Sequence, residues 1–274
     1  MDHMIKIGTS GYSFADWQGK IYPRSLAPVN RLSYYEQELG FNAVELNFTY
    51  YRQLVAKVIT SMVRKTRRDF QFTVKANKGM THDLKTEDGR PVNNQDIFKG
   101  FLAGIEPLVV NNQLGAVLAQ FPVMFNDSEE NRNYLVRFKE RMGQIPVIVE
   151  FRNNSWEKPD TYQFLKSNSL GLCSVDEPKL PRLMPMVTEV TGDTGYFRFH
   201  GRNPHWFNTT VAERYNYLYN KEELEEFVPK IRQVSAKTKT TYLFFNNCHG
   251  GKAVKNALQL MELLEIKPNT AKLF

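Results

Sequence analysis

The stretch 147–156, VIVEFRNNSW, begins as a buried strand and then turns ionisable. Side chains on a strand alternate between its two faces, so Ile148, Glu150 and Arg152 point the same way. A carboxylate and a guanidinium on a face that starts apolar are placed to do chemistry. Other apolar runs end alike. Run 43–47 closes in Glu45 and Asn47, 70–75 in Lys75, and 115–121 carries Gln120 at its end. Asp176 closes 171–176, while Arg198, His200 and Arg202 share one parity from 195 onward, and 241–246 ends in Asn246.

Glu150, His200, Glu45 and Asp176 are the residue types that move protons. Lys75, Arg152, Arg198 and Arg202 are the types that hold phosphate or carboxylate, with Asn47, Gln120 and Asn246 as neutral hydrogen-bonding groups beside them. Three carboxylates and a histidine are also a donor set for a divalent cation. Four cationic side chains at the same strand ends disfavour that use, so neither a metal nor another cofactor is expected. Arg198 lies deepest in its strand and requires a carboxylate partner, because an unpaired buried charge costs several kcal/mol. Glu150 and Asp176 are the candidates. A purely structural ion-pair network would leave the same pattern in the sequence.

These residues need elements that bring them together. Eight β-rich runs recur, at 4–8, 43–47, 70–75, 115–121, 146–151, 171–176, 195–200 and 241–246. Most are continuously apolar, as in parallel strands covered on both faces. Helical stripes lie between them: Val55, Val58, Ile59, Met62 and Val63, then Ile97, Phe101, Ile105 and Leu108. Leu224, Phe227, Val228 and Ile231 form a third, in which Pro229 predicts a kink, and Val254, Ala257, Leu258 and Met261 form the last. Strand–helix repeated about eight times over ~250 residues is the arithmetic of an α/β protein built as a single closed (β/α)8 TIM barrel. An open doubly wound sheet is the alternative. Residues 177–194 hold three prolines and no stripe, which predicts irregular structure after the sixth strand. No linker interrupts the pattern, so 1–274 reads as one domain. In such a barrel the strand ends form a mouth, which accounts for the ionisable endings.

The chain has 274 residues, 42% of them hydrophobic, enough for one sizeable core. No apolar run approaches the ~18 residues of a membrane span, and the first residues lack the charged-then-apolar pattern of a secretory leader. Cys173 and Cys248 match no zinc or redox spacing and read as buried thiols, which suggests a reduced, cytoplasmic setting. The net charge of +7 is dispersed, permitting anionic partners without naming one. GTSG at 8–11 lacks the lysine of a phosphate-binding loop, and no dinucleotide-binding glycine pattern follows a strand. Aromatic residues crowd two loops, Tyr12, Phe14, Trp17 and Tyr22 in one, Trp206, Phe207, Tyr215, Tyr217 and Tyr219 in the other, the second with Arg202 and Arg214. Such faces stack bases or sugars, or pack the loop itself. Two functions stay open: an enzyme acting by acid/base chemistry on an anionic small molecule or nucleotide fragment, and a non-catalytic binder of nucleic acid or another polyanion. The oligomeric state is not legible.

The segments GTSGYSFADWQGKIYP (8–23), VELNFTYYR (44–52), FTVKANKGMTH (72–82), AQFP (119–122), VEFRNNSW (149–156), YFRFHGR (196–202) and FFNNCHGGKAVKNA (244–257) resemble the YecE-like family, domain of unknown function 72. The resemblance runs along essentially the whole chain and implies a TIM barrel, with no established reaction. It also implies that Thr49, Tyr51, Arg52 and Trp156 lie in or just behind the site. The sequence departs at Phe48, where the pattern usually has a small polar residue, and at Asn153, where it often has histidine. The outline is similar to metal-dependent barrels such as endonuclease IV and sugar isomerases, an analogy of fold alone, without their dense histidine clusters.

Overall fold

The computed structural model of the chain describes residues 4–207 and 209–268. Strand β1 (Met4–Thr9) is followed by α1 (Arg31–Gln37), β2 (Ala43–Leu46), α2 (Ala56–Val63) and β3 (Gln71–Lys75). Next come α3 (Lys78–Thr81), α4 (Gln95–Val110), β4 (Leu114–Gln120), α5 (Glu129–Met142) and β5 (Val147–Glu150). The second half runs through α6 (Pro159–Ser167), β6 (Leu170–Leu172), β7 (Ser174–Asp176) and β8 (Thr194–Phe199). It finishes with α7 (Val211–Arg214), α8 (Lys221–Glu225), α9 (Phe227–Ser235), β9 (Thr240–Phe245) and α10 (Lys252–Leu263).

All ladders are parallel and form two sheets, β2-β3-β4-β5-β6 and β1-β9-β8-β7. Every crossover carries a helix or a long loop, as parallel pairing demands. Cys173 alone separates β6 from β7, so one stretch of chain leaves the first sheet and joins the second. Its N–H donates to Val149 O at 2.9 Å, and three residues later Asp176 O accepts from His200 N–H at 2.9 Å. The expected strand over 171–176 is thus split between two neighbours.

Between β1 and β2 side chains do what a ladder does elsewhere. Tyr35 Oη accepts from Thr9 N–H at 2.8 Å and donates to Ala43 O at 3.2 Å, while Asn42 Oδ1 accepts from Ile7 N–H at 2.8 Å. Gly8 permits the approach: a Cβ there would lie 2.0 Å from Ala43 O.

Ala43, Ala116, Leu118 and Ile148 of the first sheet join Val175, Tyr196 and Phe244 of the second in one buried cluster between the sheets. The opposite faces of the strands pack on the helices in a larger core that includes Phe72, Val117, Phe197 and Leu243. Burying each such side chain is worth about 1.5–3 kcal/mol. The third helical stripe breaks at Glu226, three residues ahead of Pro229. Pro229 then sits in the first turn of α9, where a missing N–H costs little. Residues 177–193 carry no helix or strand, as their prolines predict. Among the described residues no helix is long and apolar enough to cross a membrane.

Candidate functional site

A cavity of ≈ 610 Å³ opens at the carboxyl ends of both sheets. Asn47, Lys75, Arg152, Arg198 and Asn246 line it, joined by Ser10 from the loop after β1. Period-two alternation explains why. Glu45, Lys75, Gln120, Glu150 and Arg198 all share the parity of the buried inner cluster, so each strand that fills the interior with apolar groups ends by aiming a polar one at the mouth.

Below the cavity runs a continuous ionic chain. Arg198 donates to Glu45 Oε1 at 2.7 Å and to Glu150 Oε2 at 2.5 Å. Glu150 Oε1 lies 2.6 Å from Arg152 Nε, and Arg152 donates on to Glu177 Oε2 at 2.5 Å. Glu45 also accepts from Tyr196 Oη at 2.7 Å, and Tyr196 bonds Thr73 at 2.8 Å. Three carboxylates therefore face two guanidiniums, all buried. Burial raises Glu150, but Arg152 and Arg198 outweigh it and hold its carboxyl well below the ordinary value. Glu177 is the reverse: burial pushes it up to about 7 in spite of Arg152.

His200 is fully buried at the head of this chain. Arg152 lies 2.9 Å from its Nε2 and Asn246 2.9 Å from its Nδ1. The amide nitrogen of Asn246 is the atom that faces Nδ1, and Nε2 also lies 3.4 Å from Glu150 Oε1. Burial and Arg152 pull His200 well below its ordinary value, leaving a neutral ring. It orients Arg152 and has no proton to give near neutral pH.

Lys75 differs from its neighbours. Its Nζ donates to Gln120 Oε1 at 2.8 Å and sits 4.5 Å from the centre of the Tyr50 ring. Among the described residues no carboxylate lies within ion-pair distance of it. Burial, with Arg198 next in weight, lowers it to about 7. The same surroundings lower nearby His82 to about 4, by burial first and the Lys75 charge second. Two residues that line the cavity carry buried side-chain oxygens without a partner among the described residues: Ser10 Oγ, in a residue 1% exposed, and Asn47 Oδ1.

Four of the expected site residues lie elsewhere. Asp176 accepts from Arg202 at 3.1 Å and from Tyr219 Oη at 2.6 Å, because Cys173 and Val175 are the inward residues of that strand and Asp176 faces out. The inward position is Glu177, which the sequence reading passed over, although counting by two from Val175 finds it. Nor does Asp176 partner Arg198, whose second carboxylate is Glu45. Arg202 misses the mouth because Gly201, at φ 92°, breaks the strand's alternation. It binds Asp176, Glu223 and Glu226 and packs over Tyr219 and Phe227. Trp156 is buried, stacked on Phe151, with its Nε1–H bonded to Phe125 O at 2.8 Å. Tyr51 lines the cavity, and Thr49 donates to the carbonyl of Lys75 from just behind it. Arg52 lines a separate hollow of ≈ 260 Å³. Asn153 ties its loop to Val123 O. Tyr50 and Cys248 also line the cavity, and nothing in their spacing singled them out. Among the described residues no group of three metal-ligating side chains converges.

The sequence profile described as "Protein of unknown function DUF72" matches residues 6–273. The UPF0759 protein YunF of Bacillus subtilis (strain 168) is 34% identical, the match covering 96% of each chain. The crystal structure of a DUF72 family protein from Thermotoga maritima MSB8 is similar at a TM-score of 0.89 and 45% identity, covering 96% of this chain and 100% of that one. A second, from Enterococcus faecalis V583, aligns at a TM-score of 0.85 and 29% identity over 99% of this chain and 100% of that one.

Proposed function

This chain belongs to the DUF72 family, and from that premise we propose that it is an enzyme binding a small carboxylate- or phosphate-bearing molecule in the mouth cavity and moving a proton on it. The observation that carries the reading is Lys75, a cavity-lining amine with no carboxylate partner among the described residues. An anionic substrate supplies the missing counter-charge. The amine, at about 7, gives or takes a proton near neutral pH with little driving force lost either way. Glu45, Glu150, Arg198 and Arg152 act as a rigid, charge-balanced floor, and His200 and Asn246 hold Arg152 in place. Two sheets treated as one closed (β/α)8 ring, β6 and β7 serving as its sixth strand, give this floor its fixed geometry. The cytoplasm is the setting we assign, in keeping with two unpaired buried thiols. A cavity of this volume suits a small ligand, which favours it over a strand of nucleic acid.

Calorimetry with sulfate, whose charge is constant from pH 6 to 9, tests the anion site. Sulfate binding favours the ammonium form, so it should raise the Lys75 pKa and take up a proton above pH 7. Affinity should then fall by up to about tenfold per pH unit as the pH climbs past 7. Lys75→Met should lose both the affinity and the pH dependence. Equal heats for both proteins, flat with pH, would remove the anion from the reading.

A further inference from the structure

We propose that Lys75 is a covalent nucleophile, forming an imine with the carbonyl carbon of a small aldehyde or ketone held in the mouth cavity; this rests on the small-molecule reading above. The geometry has three parts. The amine faces the cavity and, among the described residues, is held by a neutral acceptor, Gln120 Oε1, and by the face of Tyr50. A lysine locked in a salt bridge keeps its lone pair protonated, whereas this one is free to lose its proton and attack. Ser10 and Asn47 line the same cavity, and among the described residues their side-chain oxygens are buried without partners, so a side-chain rotation turns in a hydroxyl to donate to a carbonyl oxygen and an amide oxygen to accept from the carbinolamine hydroxyl that replaces it. The iminium remains a cation, and among the described residues no carboxylate lies within ion-pair distance of that nitrogen, so a carboxylate or phosphate on the substrate completes the charge balance.

The step balances without a co-reactant. The ammonium form of Lys75 plus a carbonyl compound gives a protonated imine plus water: the C–N bond forms, the C–O bond breaks, and two of the three ammonium protons leave with the oxygen. The groups around the amine agree with a nucleophile. Arg198 from β8 and Arg152 after β5 lower its basicity, Glu150 and Glu45 raise it, burial dominates, and the result is a lysine at about 7. At neutral pH about half of it is free base, against well under ~1% of an ordinary lysine.

The test is reductive capture at pH 7 with two small aldehydes, glyoxylate with a carboxylate and glycolaldehyde without one. Borohydride delivers hydride to any imine carbon, and peptide mass mapping locates the resulting secondary amine. Lys75 should be labelled at least about tenfold faster than exposed lysines such as Lys99, and glyoxylate should label it faster than glycolaldehyde. Ser10→Ala removes an oxygen bonded to nothing described, so the fold should hold while capture slows severalfold. Labelling spread evenly over exposed lysines, with Lys75 not enriched, overturns the imine and leaves the anion site to the sulfate titration. Enrichment at Lys75 that is equal for the two aldehydes keeps the imine and overturns the anionic substrate.

Discussion

Folding takes the Lys75 ammonium from a lysine's ordinary 10.5 to about 7. Between those values the unfolded chain binds more protons than the folded one, so stability rises with pH across that window. The penalty is fully present below about 7 and gone above 10.5. Lys75→Met keeps the length of the side chain and removes the charge. It should stabilise the protein at pH 6 by up to about 5 kcal/mol, at ~1.4 kcal/mol per pKa unit, with the gain vanishing near pH 10.5. Thermal melts of both proteins at the two pH values check this, and a gain independent of pH would mean that the amine is not desolvated. A site that destabilises its own fold in this way is the usual trade of stability against activity. The sequence showed that Lys75 ends a strand, but not that its neighbours are already paired with one another. Charge pairing across a sheet depends on which strands adjoin, and a lysine looks the same in sequence whether or not a carboxylate reaches it.

Strand parity carried most of what was legible at the next scale. Counting by two from an apolar body put Glu45, Glu150 and Arg198 on the inward face, where the structure has them, and Lys75, Gln120 and Asn246, read only as the ends of their runs, share that face because a covered strand keeps one face inward along its length. It failed where alternation itself fails or was started one residue off. Gly201 ends the regularity before Arg202, and the 171–176 run, entered at Asp176, yielded the outward residue and hid Glu177. The charged helix α5 also escaped notice, since its few buried positions, Leu135, Phe138 and Met142, make a thin stripe. Arg198 tests the interior directly. Arg198→Met leaves Glu45 and Glu150 without this shared partner, and urea unfolding should show a loss of about 3–5 kcal/mol. The triple change Glu45→Gln, Glu150→Gln, Arg198→Met should recover a good part of it. No recovery would mean that the chain is held by packing, not by charge.

The two sheets are tied across their shared interior: Arg198 of β8 joins Glu45 of β2 to Glu150 of β5, and Tyr196 reaches Thr73 of β3. They should therefore unfold together. Trp17, bonded to Cys248 O after β9, and Trp156, bonded to Phe125 O after β4, report on one sheet each. Variants keeping one or the other should give urea transitions that coincide with far-ultraviolet circular dichroism, and separated midpoints would break the molecule into two units. Between β1 and β2 the same molecule is fastened differently, by one phenol and one amide in place of a ladder. Amides that rely on side-chain acceptors are released when those side chains swing away, with no strand having to unfold. The Ile7 and Thr9 amides should accordingly exchange with deuterium well before those of the β8–β9 ladder, and Tyr35→Phe should quicken Thr9 further. Ser10 and Asn47 follow those two strands directly, so each such breath parts two walls of the cavity, and Tyr35→Phe should change how fast it fills as well as how fast Thr9 exchanges.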